Sequence, residues 1–94
     1  MRSETTHDPH ALALASLAAT LTDVRRAQRF LELTGIGTDE LRGMADEPQL
    51  LAALIRFLEG YEPDLLSVSE QIGVKAEALV SARRALEGET KGAP

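Results

Sequence analysis

The chain of 94 residues is long enough for one domain with a modest core, and its aromatic residues are only two Phe and one Tyr. It has no cysteine, which excludes disulfides, thiolate catalysis and cysteine-based zinc sites. The net charge is −5, so the chain lacks the excess of Lys and Arg with which proteins coat nucleic acid. The core has to use Leu, Ala, Ile and Val, a composition that favours helices.

The first predicted helix begins with Asp8 as its N-cap and Pro9 as its first residue, and it ends near Leu21. Its apolar run at 11–21 has the length of a signal-peptide core, but acidic residues precede the run. The run is also shorter than the roughly 20 residues that cross a bilayer. We therefore expect a cytoplasmic protein without membrane association.

The second helix is predicted to begin at Thr22 or Asp23 and to stop at Gly35, because glycine adopts the left-handed conformation of a helix C-cap without a Cβ penalty. Its inward face is predicted to hold Val24, Ala27, Phe30 and Leu31. Its outward face is predicted to hold Arg25, Arg26, Gln28, Arg29 and Glu32. A short third helix should follow Thr38 as its N-cap and turn Leu41, Met44 and Ala45 inward.

The second half of the chain predicts three more helices, over residues 48–59, 63–72 and 75–87. Gly73 is predicted to stop the fifth helix as Gly35 stops the second. The sixth helix should bury Leu79, Ala82 and Leu86. The prediction is therefore an all-α protein, a compact bundle of five to six short helices with helix-turn-helix-like corners.

The predicted domain covers residues 8–87, between disordered tails at 1–7 and 88–94 that lack an apolar period. Residues 30–41 and 68–79 both read as a helix, a glycine stop and a second helix. The two Glu-Pro helix starts in the chain are separated by a different offset, whereas a tandem duplication would keep a single one. We interpret the similarity as repeated use of the same helix start and stop signals within one bundle.

Helices one and four differ from the others because each is apolar on nearly all sides. Such helices are normally buried on most sides. Either both lie in the middle of the bundle, or one of them exposes an apolar face to a partner or to a second copy. The predicted function is a protein-protein interaction module that uses apolar surface of helix one or four.

Five elements carry a resemblance to a known family: Ala-Leu-Ala-Leu-Ala at the start of the first helix, Arg-Phe-Leu-Glu-Leu-Thr-Gly-Ile at residues 29–36, Asp-Glu-Leu-Arg at 39–42, the Leu-rich fourth helix, and the segment 73–86. In this order they resemble a family of short bacterial proteins, mainly alphaproteobacterial, that is catalogued as a domain of unknown function. The likeness covers about residues 10–87. It implies a small all-α intracellular bacterial protein and carries over no activity, ligand or functional residue.

Five basic residues are candidates for an interaction surface at the rim: Arg25, Arg29, Lys75, Arg83 and Arg84. The arginines could form one patch for phosphate or an acidic partner, or a solvated face with ordinary ion pairs along the helices. The fifth and sixth helices also fit a DNA-binding helix-turn-helix with Lys75 at the head of the recognition helix. Because Glu77 follows and repels phosphate, nucleic-acid binding is the alternative function and a plain helical corner is favoured.

Catalytic and ligand-binding motifs are weak in this chain. His7 and His10 bracket Asp8 and could ligate a metal with it, but apart from Glu4 no further ligand lies nearby to complete the set. Both histidines lie near one end of the chain, so no nucleophile with an adjacent base can be proposed. The turn at 35–37 lacks the strand and the third glycine of a dinucleotide site. We expect no catalysis, cofactor, metal or small-molecule ligand, and a protein partner or self-association instead.

Overall fold

A computed structural model describes residues 8–91, with side chains described as far as Gly88. Within this range the chain forms six α-helices and no strand, which confirms the predicted all-α bundle. The helices are α1 (Pro9–Leu21), α2 (Val24–Thr34), α3 (Thr38–Met44), α4 (Pro48–Glu59), α5 (Glu62–Ile72) and α6 (Ala76–Lys91).

The last helix continues beyond its predicted end. The sequence predicts an end near Glu87 and a tail from Gly88, whereas α6 runs through Lys91. A single exposed glycine costs a helix about 1 kcal/mol but does not stop it, and the Glu-Thr-Lys that follows is compatible with a helix. The rest of the predicted tails, at 1–7 and 92–94, lies outside the described residues.

The helix ends follow local rules that the sequence displays. Asp8 accepts a hydrogen bond from the backbone N–H of Ala11 at 3.2 Å and so caps α1. Gly35 and Gly73 have φ of 73° and 78°, the left-handed conformation predicted for both. Asp23 caps α2 in the same way as Asp8 caps α1, because its carboxylate accepts a hydrogen bond from the backbone N–H of Arg26 at 3.0 Å.

The cap of α3 differs by one residue from the prediction. Gly37, not Thr38, is the N-cap, and its backbone N–H donates to the Glu40 carboxylate at 3.1 Å. A glutamate that reaches back from the third helical residue is one half of a capping box. The carboxylate therefore replaces the threonine hydroxyl as the group that stabilises this helix start.

Helix α4 lies at the centre of the bundle and packs against α1, α5 and α6. Its inward residues are all buried: Leu50, Leu51, Ala52, Leu54, Ile55 and Leu58. Phe30 of α2 is fully buried beside it and meets the Phe57 ring edge to face, with ring centroids 5.3 Å apart. Of the two apolar helices, α4 is therefore the one that lies in the middle of the bundle.

Helix α1 packs against α2, α4, α5 and α6 but leaves one side in solvent. Its inward side includes two hydroxyls, and each donates to the backbone of its own helix: Ser16 to the Leu12 carbonyl and Thr20 to the Ser16 carbonyl, both at 2.8 Å. These bonds satisfy the hydroxyls without help from another helix. The opposite side of α1 remains in solvent and is apolar. Helix α1 is therefore the one that exposes an apolar face.

Helix α2 is rotated relative to its predicted orientation. Val24, predicted inward, is 71% exposed, and Arg26, predicted outward, is only 6% exposed. The Arg26 guanidinium donates to the Ala19 carbonyl at 2.9 Å and lies 4.0 Å from the Asp64 carboxylate. Arg26 and Phe30 are four residues apart and lie on the same side of α2. Both are buried, because the arginine has these partners on α1 and α5. Phe30 is buried as predicted, whereas Ala27 and Leu31 of the predicted inward face line a groove.

Candidate functional site

A concave surface of about 370 Å³ lies between the C-terminal half of α1, α2 and α3. Two polar residues belong to it, Thr38 and Arg42, and Arg42 is exposed with its guanidinium 3.8 Å from the Asp39 carboxylate. All its other lining residues are apolar: Leu17, Leu21, Ala27, Leu31, Leu41 and Ala45. We call this surface the α1–α3 groove. Its composition suits an apolar side chain or helix face better than a charged ligand.

The apolar surface continues along α1 beyond the groove. Four exposed residues at spacings of three, four and three share one side of this helix: Ala11, Leu14, Ala18 and Leu21. We call them the α1 stripe. Leu14 is 48% exposed and Leu21, which also lines the groove, is 42% exposed. At 1.5 Å of rise per residue the stripe is about 15 Å long.

The wall of the groove on α2 is extended in the same way. Val24 lies seven residues before Leu31 and therefore on the same side of the helix. Since Val24 is largely exposed, apolar surface continues past the end of the groove at the start of α2. Of the predicted inward residues of α2, Val24, Ala27 and Leu31 thus contribute to a surface that is accessible to a partner, while Phe30 is buried as predicted.

The basic residues of α2 are balanced by carboxylates. Arg29 forms an ion pair with Asp64 and stacks over the rings of Phe57 and Tyr61, at 5.7 Å and 5.3 Å from their centroids. The depression around them, of about 410 Å³, is lined by Arg25, Arg26, Gln28, Arg29 and Tyr61 together with Asp23, Glu32 and Asp64. Three arginines face three carboxylates here, so this depression is not a positive patch.

The Asp23 carboxylate of this depression also has a structural role. Its pKa is lowered from the ordinary value of 3.8, mainly because the backbone N–H of Arg26 donates to it. The carboxylate is exposed to solvent, and its charge serves the N-terminus of α2. It is therefore occupied as a helix cap.

Arg83 joins α4 to α6. Its guanidinium donates to Glu59 at 2.5 and 3.2 Å and to Glu87 at 2.9 Å, and Arg56 also pairs with Glu87. The hydrogen bonds to Glu59 raise the pKa of Arg83, and the bond from Arg56 lowers the pKa of Glu87. Arg83 is thus part of a charge network, while Arg84 beside it is exposed.

Of the predicted basic positions, Arg25 and Arg29 line the same depression, whereas Arg83 and Lys75 have other neighbours. Arg29 is anchored by Asp64 of α5, whereas Arg83 is anchored by Glu59 of α4. Lys75 lies elsewhere again, in a depression between α5 and α6 whose other charged residues are Glu62, Glu70 and Glu77. The surroundings of Lys75 are therefore negative. DNA binding by α6 would instead use a positive stripe that continues from Lys75.

A metal site and a membrane-spanning helix are two further possibilities that the described residues address. Among them no group of three His, Asp or Glu is arranged to hold a metal ion, and the candidate ligands His7 and Glu4 lie outside the described range. As far as the described residues go, the chain has no helix of the length and apolar character that crossing a bilayer requires.

Sequence reasoning missed the α1 stripe and the contact of Arg26 with Asp64. The signal for the stripe is present, since Ala11, Leu14, Ala18 and Leu21 have the spacing of a coiled-coil seam. It is hidden because the opposite side of α1 is apolar as well, so that no polar face marks which side is outside. The Arg26 contact has no local signal, because its partners come from two other helices.

A family described as "Protein of unknown function (DUF3572)" matches residues 6–89, which include all six helix starts and both left-handed glycines. No curated protein and no solved structure matches the chain. The resemblance to a family catalogued as a domain of unknown function is thereby confirmed. With a match over nearly its whole length, the chain belongs to the DUF3572 family of proteins of unknown function.

Proposed function

We propose that this protein is a small, non-catalytic interaction module that docks the apolar face of a protein helix on the α1–α3 groove and the α1 stripe. The observation that carries the proposal is the continuity of these two surfaces through Leu21, which belongs to both. Contiguous apolar patches on monomeric proteins are usually small, and larger ones mark interaction sites. The proposal places the module in the cytoplasm of a bacterium, as the resemblance implies.

The energetics favour a helix as the docked element. Fully burying a leucine contributes about 1.5–3 kcal/mol, so covering the exposed half of Leu14 or Leu21 contributes on the order of 1 kcal/mol each. A helix that lies in a groove presents apolar side chains at intervals of three and four residues. The same intervals separate the residues of the stripe, so a docked helix of matching spacing can cover all of them.

Charge also restricts the partner. The segment Pro9–Leu21 contains no Asp, Glu, Lys or Arg, and the only ionised residue that lines the groove in the described chain is Arg42. An apolar surface of this kind gives little affinity for nucleic acid, whose binding depends on phosphate contacts. The absence of catalysis is part of the proposal, and it is supported by the ion pairs that engage Arg26, Arg29 and Asp64 in the charged depression.

Site-specific photo-crosslinking in the native cell tests this function. A photoreactive residue at Leu21, inside the groove, is compared with the same residue at Leu66, which is 52% exposed on α5. We expect a discrete protein adduct at Leu21 and none at Leu66. The adduct should disappear when Ala45→Glu, with folding verified by circular dichroism, places a charge in the groove. Equal labelling at both positions, or an adduct that survives Ala45→Glu, would contradict the proposal.

A further inference from the structure

We infer that the helix that docks on this face is α1 of a second copy of the chain, packed antiparallel along α1 about a twofold axis level with Ser16. The inference rests on the proposed function and names the partner for that surface. A twofold dimer needs a patch that is complementary to itself, which is a strict requirement on sequence. The α1 stripe meets this requirement.

The order of large and small residues in the stripe is self-complementary. When two α1 helices run antiparallel with residue 16 at the axis, Ala11 faces Leu21 of the second copy and Leu14 faces its Ala18. Every leucine then meets an alanine, and large side chains fill the space that small ones leave. A parallel pair would place leucine on leucine and alanine on alanine, which packs less closely.

The charge distribution selects the same surface. The chain carries a net charge of −5, so two copies repel each other over most approaches. Helix α1 has no Asp, Glu, Lys or Arg, so the side chains of the two α1 helices bring no like charges together along the contact itself. Leu66, a similarly exposed leucine, shares its depression with Glu62 and Glu70, which would meet their own copies in a twofold contact.

The size of the stripe sets the strength of the dimer. A stable interface buries about 800 Å² on each partner, and weak, transient ones bury less than about 1,200 Å² in total. Two half-exposed leucines and two alanines along about 15 Å of helix belong to the second class. The dimer is therefore expected to dissociate on dilution and to form at high protein concentration.

Sedimentation equilibrium over a range of concentrations measures the association. For the wild type we expect the average mass to rise from 10.1 kDa toward twice that value. Leu14→Glu should remain at the monomer mass, and so should Ala18→Glu, which provides an independent variant on the exposed side. Leu66→Glu is the matched control and should associate like the wild type. A wild-type chain that stays monomeric at about 1 mM would overturn the inference.

Cysteine cross-linking tests the antiparallel register, since the natural chain has no cysteine. Chains with Ala11→Cys and chains with Leu21→Cys are mixed and mildly oxidised, and the products are identified by intact mass. We expect the mixed disulfide, because equal positions in the two copies lie about 15 Å apart along the axis and a disulfide requires Cα atoms within about 7 Å. Mixing Ala11→Cys with Leu66→Cys should give no comparable product.

The outcomes separate this inference from the proposed function. Disulfides formed mainly between identical variants would contradict the antiparallel pairing. A strictly monomeric chain that still gives a groove-dependent adduct at Leu21 with another protein would overturn the second copy as partner and leave the interaction module standing. Loss of both the association and the adduct would overturn both proposals.

Discussion

Replacement of Asp64 by asparagine is expected to destabilise the fold more than the loss of an ordinary surface carboxylate. Asp64 lies in the first turn of α5 and faces Arg26 and Arg29 of α2. Arg26 is almost fully buried, and its Nε atom has no hydrogen-bond partner among residues 8–91. Asparagine keeps an acceptor oxygen but removes the negative charge beside this buried guanidinium, whose hydrogen-bond acceptor among the described residues is the Ala19 carbonyl.

The magnitude follows from the burial of the two side chains. Removing one partner of a buried ion pair costs about 3–5 kcal/mol, whereas exposed pairs contribute about 0–1 kcal/mol. The Asp64 side chain is 16% exposed and its contact with Arg26 is long, at 4.0 Å, so the pair belongs between these limits. We expect a loss of about 2 kcal/mol, which lowers the Tm of a domain of this length by about 8–16 °C.

Urea unfolding followed by circular dichroism measures this loss. The control is Asp39→Asn, because Asp39 forms an exposed ion pair with Arg42 and should change the free energy of unfolding by less than about 0.5 kcal/mol. In an Arg26→Met background the buried charge is absent, so Asp64→Asn should cost less than in the wild type. If Asp64→Asn and Asp39→Asn reduce the stability equally, the burial of Arg26 does not depend on Asp64.

Three further predictions follow from single sites. Gly73→Ala should destabilise by about 1–2 kcal/mol because φ is 78° there, while Gly88→Ala within α6 should stabilise by up to about 1 kcal/mol; equal effects in thermal melts would refute the role of the left-handed conformation. Phe30→Ala should cost about 3–5 kcal/mol in urea unfolding because its ring is fully buried against Phe57, and a loss below about 1 kcal/mol would show that the site collapses. Glu87 has a pKa below its ordinary 4.5 mainly through the hydrogen bond from Arg56, so its stabilisation is complete above that pH and is lost as pH falls through the lowered pKa. The urea midpoint of Glu87→Gln should therefore fall less steeply than that of the wild type between about pH 5 and pH 3, and parallel slopes would exclude the contribution of Glu87.

The helix boundaries were largely predictable because the groups that start and stop a helix lie within a few residues of its end. Asp8 and Asp23 cap the helices that follow them, and Gly35 adopts the left-handed conformation. Even the differences are local, since Glu40 caps α3 from within its own first turn and α6 passes through Gly88. Hydrogen bonds between neighbouring residues carry this information, so the sequence displays it directly.

The orientation of each helix was less predictable. Periodicity placed Val24 inside and Arg26 outside, and the structure has the reverse. Hydropathy treats arginine as a surface residue, whereas here the Ala19 carbonyl and Asp64 compensate its charge from two other helices. Burial of a charge depends on what surrounds it, and those surroundings exist only in the folded chain.

The sequence alone thus determined that the chain is an all-α bundle with these helices, because apolar periodicity, caps and glycine stops act over a few residues. Tertiary structure alone decided which side of α1 is covered. Leu12 and Leu14 are equally apolar, yet the packing of α1 against α4, α5 and α6 accompanies a buried Leu12 and leaves Leu14 exposed. The candidate interaction face depends on that choice, because an apolar surface is available to a partner only where the fold leaves it uncovered.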